Sequence, residues 1–363
     1  MDHNPAAQAK TDPTEPLELP VELPLALSEP SLKTIKLPHP PNLIQLLRPH
    51  QWTKNLFCLA GVVFGGRLLE PRAILLDCLT VVVFSAMASA VYIFNDIQDI
   101  ERDRRHPKKC FRPIASGQIR IQSASLIGSG LALFALLGSY SLGLATFMCV
   151  LGYGINNIAY SLKLKHIPLF DVNCIALGFV FRLLAGIYVL DDKPTAWIVL
   201  CTFFLTLFLG FAKRRAELLA LLRDDISQEL IRSKQEESAE APESVADLFY
   251  LQLIYQRGRV NKQRPVLAQY TLPYLDSLLN STATITIMCY ALFTISSGKN
   301  PSLVITVPIV YYAVMHYKRV VTVLAFGEEP DQLLLKDNSI KISLLVWLIS
   351  YLLILYFDLQ LFK

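Results

Sequence analysis

Runs of about 20 apolar residues recur along most of this 363-residue chain. A hydrocarbon core about 30 Å thick is crossed by roughly 20 residues of α-helix, so these runs have spanning length. Nine are legible: 52–69, 73–94, 121–141, 143–162, 168–190, 194–212, 274–296, 301–321 and 341–361. None shows the period-two alternation of a membrane barrel, which leaves helices. Composition agrees, with 53% hydrophobic and 18% charged residues and a mean hydropathy of +0.41. Ordinary soluble domains sit near about 45–50% and about 25%. A soluble enzyme, a nucleic-acid module and a disordered scaffold are excluded. The expectation is an all-α polytopic membrane protein with nine transmembrane helices.

Residues 1–41 contain nine prolines and no basic-then-apolar leader. That stretch cannot be a spanning helix and reads as a mobile cytoplasmic tail. Residues 42–363 then form one transmembrane domain with an acidic cytoplasmic insertion near 223–265. Orientation follows from Lys and Arg. The tail and the loops after the even-numbered segments carry 28, the opposite loops and C-terminus carry five, and Arg182 lies inside segment five. The N-terminus is expected inside and the C-terminus outside. With no transit signature, the plasma membrane is the expected location. The long polar connections 95–120, 213–273 and 322–340 all fall on the cytoplasmic side. A transporter should distribute its polar groups around a midplane site, so crowding at one mouth favours an enzyme. The seven cysteines show no metal-ligand spacing and read as small apolar residues, except Cys110 in a polar loop.

Segment two runs directly into Asn95, Asp96, Asp99 and Asp103. The three acids are spaced i, i+3, i+7 and share a helix face, with Asn95 one turn from Asp99. Like charges at that spacing repel unless a cation lies between them, and oxygen-only ligands suit Mg²⁺ bridging to phosphate. The plainer reading is a solvated helix end paired by Arg102, Arg104 and Arg105. Next comes a basic run that includes Lys108, Lys109 and Arg112, the groups a diphosphate needs beside such a metal. Taken singly, each fits the positive-inside rule equally well. Asn156, Tyr160 and Lys163 form a stripe toward the same mouth, followed by Lys165. Asp171 and Arg182 are eleven residues, or three turns, apart and share a face. A structural buried pair competes there with a cation at the cavity floor. Lys213 and Arg214 lie at the rim, and Lys54 begins segment one.

On a nine-helix chain, the run Asn95, Asp96, Ile97, Gln98, Asp99 through Asp103 resembles the UbiA superfamily of intramembrane prenyltransferases. Its continuation through His106, Pro107, Lys108 and Phe111–Ala115 is similar to the phosphoribosyltransferase branch that uses decaprenyl-type phosphates. Further matches are Arg48–Asn55, Leu164–His166, Arg182–Gly186, Lys213–Glu217 and Gly327–Pro330. The resemblance covers about residues 43–360. It implies a central cavity open to lipid and Mg²⁺ held by Asn95, Asp96, Asp99 and Asp103, with the three acids as catalytic residues. It also implies 5-phosphoribosyl-1-diphosphate as donor, a polyprenyl phosphate as acceptor and pyrophosphate as product. The tail and the acidic insertion look longer than the family pattern. The second Asp-rich motif of typical prenyltransferases is absent, with only Asp171 near its place and Lys163 and Lys165 in that loop. More substrate anions call for more cations, and Lys163, Lys165, Lys213 and Arg214 stand where these are useful. Lys54, Lys108 and Arg112 are expected on donor phosphates, and Tyr160 or Arg182 on the ribose or acceptor head. An acceptor phosphate is already an anion, so no general base is needed. The alternatives are isoprenyl transfer onto an aromatic or tetrapyrrole acceptor and, from another class, a lipid or metabolite transporter.

Overall fold

The computed structural model describes residues 42–106, 108–235, 266–296, 298–323 and 336–361. The expected tail, most of the insertion and the Gly327–Pro330 motif lie outside the described residues. Among the described residues there is no strand. The elements are α1 (Asn42–Leu47), a 3-10 stretch (Pro49–Leu59), α2 (Ala60–Gly65), α3 (Pro71–Gln98), α4 (Ile100–Arg104), α5 (Ile121–Ser141), α6 (Leu144–Leu162), α7 (Phe170–Tyr188), α8 (Ala196–Gln235), α9 (Leu272–Thr294), α10 (Val307–Thr322) and α11 (Asn338–Tyr356). Helix α8 thus continues past the expected end of segment six, into residues assigned to the insertion.

Six helices are long and apolar enough to cross a membrane: α3, α5, α7, α8 over Ala196–Leu222, α9 and α11. The sequence predicts nine, and the other three apolar segments are helical but different in kind. Residues 52–69 are split between the 3-10 stretch and α2, which stops at Gly66 with φ +73°. Residues 301–321 start as 3-10 (Pro301–Thr306) and become α10 at Val307. Pro301 and Pro308 each lack an amide donor, so both sit in the first turn of their elements. Residues 143–162 form the single helix α6, made more polar by Tyr153, Asn156, Asn157 and Tyr160.

Helices α3 and α7 are the inner elements. Phe84, Met87 and Val91 of α3 pack with Cys149, Val150 and Tyr153 of α6. Val172 and Ala176 of α7 pack with Phe208 and Phe211 of α8, Leu275 and Leu279 of α9, and Tyr317 of α10. Leu126, Leu133 and Leu137 of α5, and Leu345 and Ile349 of α11, are exposed, as lipid-facing side chains are. Segment one crosses α7 with almost no separation. A Cβ on Gly186 would collide with the carbonyl of Cys58, and one on Gly61 with the carbonyl of Gly186. Away from the carboxylates the chain is tied shut. Arg67 pairs with Asp192 at 2.8 Å, and Tyr356 Oη accepts from the Leu68 amide at 2.8 Å while donating to the Gly66 carbonyl.

The crossing gives a test. Gly186→Ala meets backbone that cannot move aside and should lose about 1–3 kcal/mol or more. Gly130 has nothing within 4 Å of its Cβ position. Gly130→Ala should be neutral or gain up to about 1 kcal/mol from helix propensity. Thermal unfolding of both variants in one detergent, against the parent chain, measures the difference.

Candidate active site

Helix α3 ends at Gln98, and Asp99 takes φ −95° and ψ 9°, outside the helical well. The turn is nonetheless continuous, because the Asp103 amide donates to the Asp99 carbonyl at 2.8 Å. Asp96 and Asp103 therefore keep a common face across the break, and both are 3% exposed. The loop after α4 folds back over them. Arg112 Nη1 donates to Asp96 Oδ1 at 3.0 Å and to Asp103 Oδ2 at 2.6 Å. Arg48 Nη2 grips both oxygens of Asp96, at 2.5 and 2.7 Å. It comes from the N-cap of the 3-10 stretch, in a left-handed conformation (φ 52°, ψ 58°), with its guanidinium 5.2 Å from the Tyr92 ring centre. Asp99 faces away toward the α6–α7 loop, where Lys165 Nζ donates to both its oxygens at 2.8 and 2.9 Å.

The sequence predicts Asn95, Asp96, Asp99 and Asp103 gathered about one cation. Among the described residues no three acid, histidine or cysteine side chains are so gathered. The repulsion between the acids is relieved instead by guanidinium and ammonium groups from three other elements, each strongly hydrogen-bonded to its carboxylate. Asn95 stands half-buried beside them. His106 and His166 flank the same mouth. Desolvation, with Lys109 beside His106 and Arg102 beside His166, pushes both below the ordinary histidine range. The shift favours the neutral imidazole at both positions. Accordingly, His106 Nδ1 accepts from the amides of Lys108 and Lys109 at 3.1 and 3.3 Å.

A second cluster joins the start of α7 to α8 and the chain before α9. Arg214 Nε donates to Asp171 Oδ2 at 2.6 Å and its Nη1 to Glu217 Oε2 at 2.8 Å. Tyr270 Oη donates to Asp171 Oδ1 at 2.9 Å and accepts from the Leu169 amide at 2.6 Å. Tyr160 lies near enough to Arg214 to interact with it electrostatically. Asp171, expected to share a face with Arg182, is fully buried and bound to Arg214 instead. The reason is tertiary: α8 brings a guanidinium to the first turn of α7, whereas Arg182 lies three turns away.

Arg182 is 5% exposed, and neutral groups take its donors. Nε donates to Asn55 Oδ1 at 2.7 Å, Nη1 to the Gly178 carbonyl at 2.8 Å and Nη2 to Tyr153 Oη at 3.0 Å. Lys54 is half-buried and donates to Gln51 Oε1 at 2.8 Å. Lys213 is half-buried, and Lys108 and Lys163 are exposed. The amides of Asn156 and Asn157 are satisfied within the bundle, by the Cys174 and Tyr153 carbonyls, both at 2.8 Å. Reading the sequence for site residues assigns no role to Arg48, Asn55, Tyr153 or Tyr270. Arg48 and Asn55 did carry a signal, as the two ends of the Arg48–Asn55 stretch that resembles the family.

The sequence model of the UbiA prenyltransferase family matches residues 55–229. Decaprenyl-phosphate phosphoribosyltransferase of Mycolicibacterium smegmatis is 30% identical over 322 residues, which cover 84% of this chain and 90% of that one. The Corynebacterium glutamicum protein of the same name is 29% identical over 329 residues, 86% of each chain. Among solved structures, a UbiA homolog from Archaeoglobus fulgidus bound to GPP and Mg²⁺ superposes with a TM-score of 0.61 at 17% identity, covering 87% of this chain and 99% of its own. At that identity the likeness speaks for the fold. Taken with 30% identity across most of both chains, it leads to one conclusion: this multi-pass membrane protein belongs to the UbiA prenyltransferase family and is an enzyme of that family.

Proposed function

We propose that the chain transfers 5-phosphoribose from 5-phosphoribosyl-1-diphosphate to a polyprenyl phosphate of decaprenyl type, releasing pyrophosphate in a Mg²⁺-dependent reaction. One observation carries this reading. Arg48 and Arg112 hold Asp96, Arg112 also holds Asp103, and Lys165 holds Asp99, while the sequence adds Lys54, Lys108, Lys163 and Lys213 at the same helix ends with no second acidic motif. A single allylic diphosphate calls for fewer cations. A phosphoribosyl diphosphate and a lipid phosphate together bring three phosphate-bearing groups to one mouth. The two named phosphoribosyltransferases, similar over most of this chain, support the same choice.

The donor set fits a hard divalent cation, since its side-chain ligands are all oxygen and Asp96 and Asp103 already share one cationic group, Arg112. Asp96 and Asp103 would hold Mg²⁺, with Asn95 beside them and Asp99 joining once Lys165 turns to a phosphate, and the ion when bound would neutralise charge on the departing diphosphate. The chain's own cations do the rest. Arg48, Arg112 and Lys165 exchange a carboxylate for a phosphate oxygen, so their charge follows the substrate without new groups being recruited. Lys108 and Lys163, both exposed, would meet the donor phosphates first, and Lys54, Lys213 and Tyr160 are assigned to the phosphates and ribose behind them. An acceptor phosphate oxygen attacks C1 as the bond from C1 to the diphosphate breaks, the electron pair leaving on pyrophosphate. No proton changes hands, so the step needs no general base. The excess of basic residues at this end supports a mouth facing the cytoplasm, with the N-terminus inside and the C-terminus outside, and the membrane assigned to it is the plasma membrane.

With ribose-labelled donor, polyprenyl phosphate and Mg²⁺, label should enter the organic phase. EDTA should abolish transfer, and Asp99→Asn should lower kcat about 10²-fold or more. Consumption of geranyl or dimethylallyl diphosphate, with the phosphoribosyl donor untouched, would replace this reading with isoprenyl transfer. Titration calorimetry provides a second check. Removing the Arg48 clamp unburdens Asp96, so Arg48→Gln should tighten Mg²⁺ binding in the absence of substrate by about tenfold. The same change should raise the KM for the donor by about tenfold, the worth of a charged hydrogen bond. Weaker binding of both would show that Arg48 does not exchange partners.

A further inference from the structure

The 3-10 stretch that opens segment one runs for 11 residues, although such helices rarely exceed three or four. Hydrogen-bond geometry in a 3-10 helix is poorer than in an α-helix, so a run of this length needs support from outside. Trp52 Nε1 donates to Ser89 Oγ at 3.0 Å near its start. In its middle Asn55, fully buried, donates to Ser85 Oγ at 3.0 Å and accepts from Arg182 Nε. Just beyond its end the Val62 amide donates to the buried Asp77 carboxylate at 3.2 Å.

Arg182 is the hub of these ties. Its fork reaches segment one through Asn55, α6 through Tyr153 and its own helix through Gly178, and Asn55 carries the connection on to α3. The guanidinium lies 4.6 Å from the Tyr153 ring centre and 5.2 Å from that of Phe179, two cation–π contacts. Among the described residues no carboxylate is within ion-pair distance of it. A cation is expensive at this depth. What an arginine offers that a neutral side chain does not is a rigid planar fork with five donors.

We propose that Arg182 is a positioning residue: it holds Asn55, and with it the over-wound first segment, so that Arg48 arrives at the carboxylate mouth. It binds neither substrate. Seven residues separate Asn55 from Arg48, so a shift of register at the hub moves the clamp on Asp96 directly. Arg48 has left-handed backbone, which leaves it little freedom to compensate. The inference rests on the carboxylate mouth being the place of transfer, but its first test needs no substrate.

That test is amide hydrogen exchange in nanodiscs. Arg182→Gln and Asn55→Ala should each speed exchange across residues 49–62 by about tenfold, with the double variant no faster than Arg182→Gln. Kinetics per folded molecule should then show the donor KM raised toward the roughly tenfold of Arg48→Gln and kcat falling by up to about 10²-fold, as for a misplaced site, with the KM of the polyprenyl phosphate nearly unchanged. Arg182→Lys keeps the charge, loses the fork and should be impaired like Arg182→Gln. Full activity in Arg182→Lys would overturn the proposal. So would unchanged exchange over 49–62 alongside a raised KM for one substrate, since that is the signature of a ligand-binding cation. If Arg182→Gln does not fold, Tyr153→Phe, which removes one bond to Arg182, and Asn55→Ser, which disturbs the bonds to Arg182 and Ser85, face the same comparison. If neither transfer reaction is detected, the proposed function fails while the exchange result still decides the role of Arg182.

Discussion

Three carboxylates at turn spacing on the end of an apolar helix cannot stand together unrelieved, and much of the bundle's arrangement relieves them. Asp96 and Asp103 are nearly inaccessible to solvent. Two arginines distant in sequence converge on them, Arg48 from before the first segment and Arg112 from a loop folded back from α4. Lys165 does the same for Asp99 from the α6–α7 connection. Each contact is worth more than its surface equivalent because water is largely excluded. Each also binds a loop to α3, so the mouth is built by the same ion pairs that occupy it.

Buried arginines in this chain fall into two kinds. Arg214 is matched by Asp171 and Glu217, an internal ion pair that joins α7 to α8. Breaking such a pair from one side leaves a buried charge without a partner, so it acts as a fixed joint. Arg182 has neutral acceptors and two aromatic faces, and it joins the segments that carry the site. The first kind holds the scaffold behind the mouth, and the second sets the register of the segment that supplies Arg48.

Much of this was legible in sequence. The apolar runs gave their helices, and the i, i+7 spacing placed Asp96 and Asp103 within reach of a single guanidinium. Asn95–Asp103 and its basic continuation pointed to the UbiA family. Hydropathy misjudged local geometry at residues 52–69 and 301–321, because it registers apolar length and not whether the turns are α or 3-10. It was equally blind to partners: Asp171 and Arg182 share a helix face, yet the decisive neighbour of Asp171 arrives from α8.

Sequence by itself determined what must be buried in lipid and where charge must collect. Both follow from local quantities, the length of apolar runs and the spacing of acids on one helix. Only the tertiary structure decided which cation meets which acid. Arg48, Arg112 and Lys165 lie 48, 16 and 66 positions from the carboxylates they hold. Pairing across such separations is set by how helices cross, here by the Gly61–Gly186 contact and the Arg182 hub, and no periodicity in the chain encodes it.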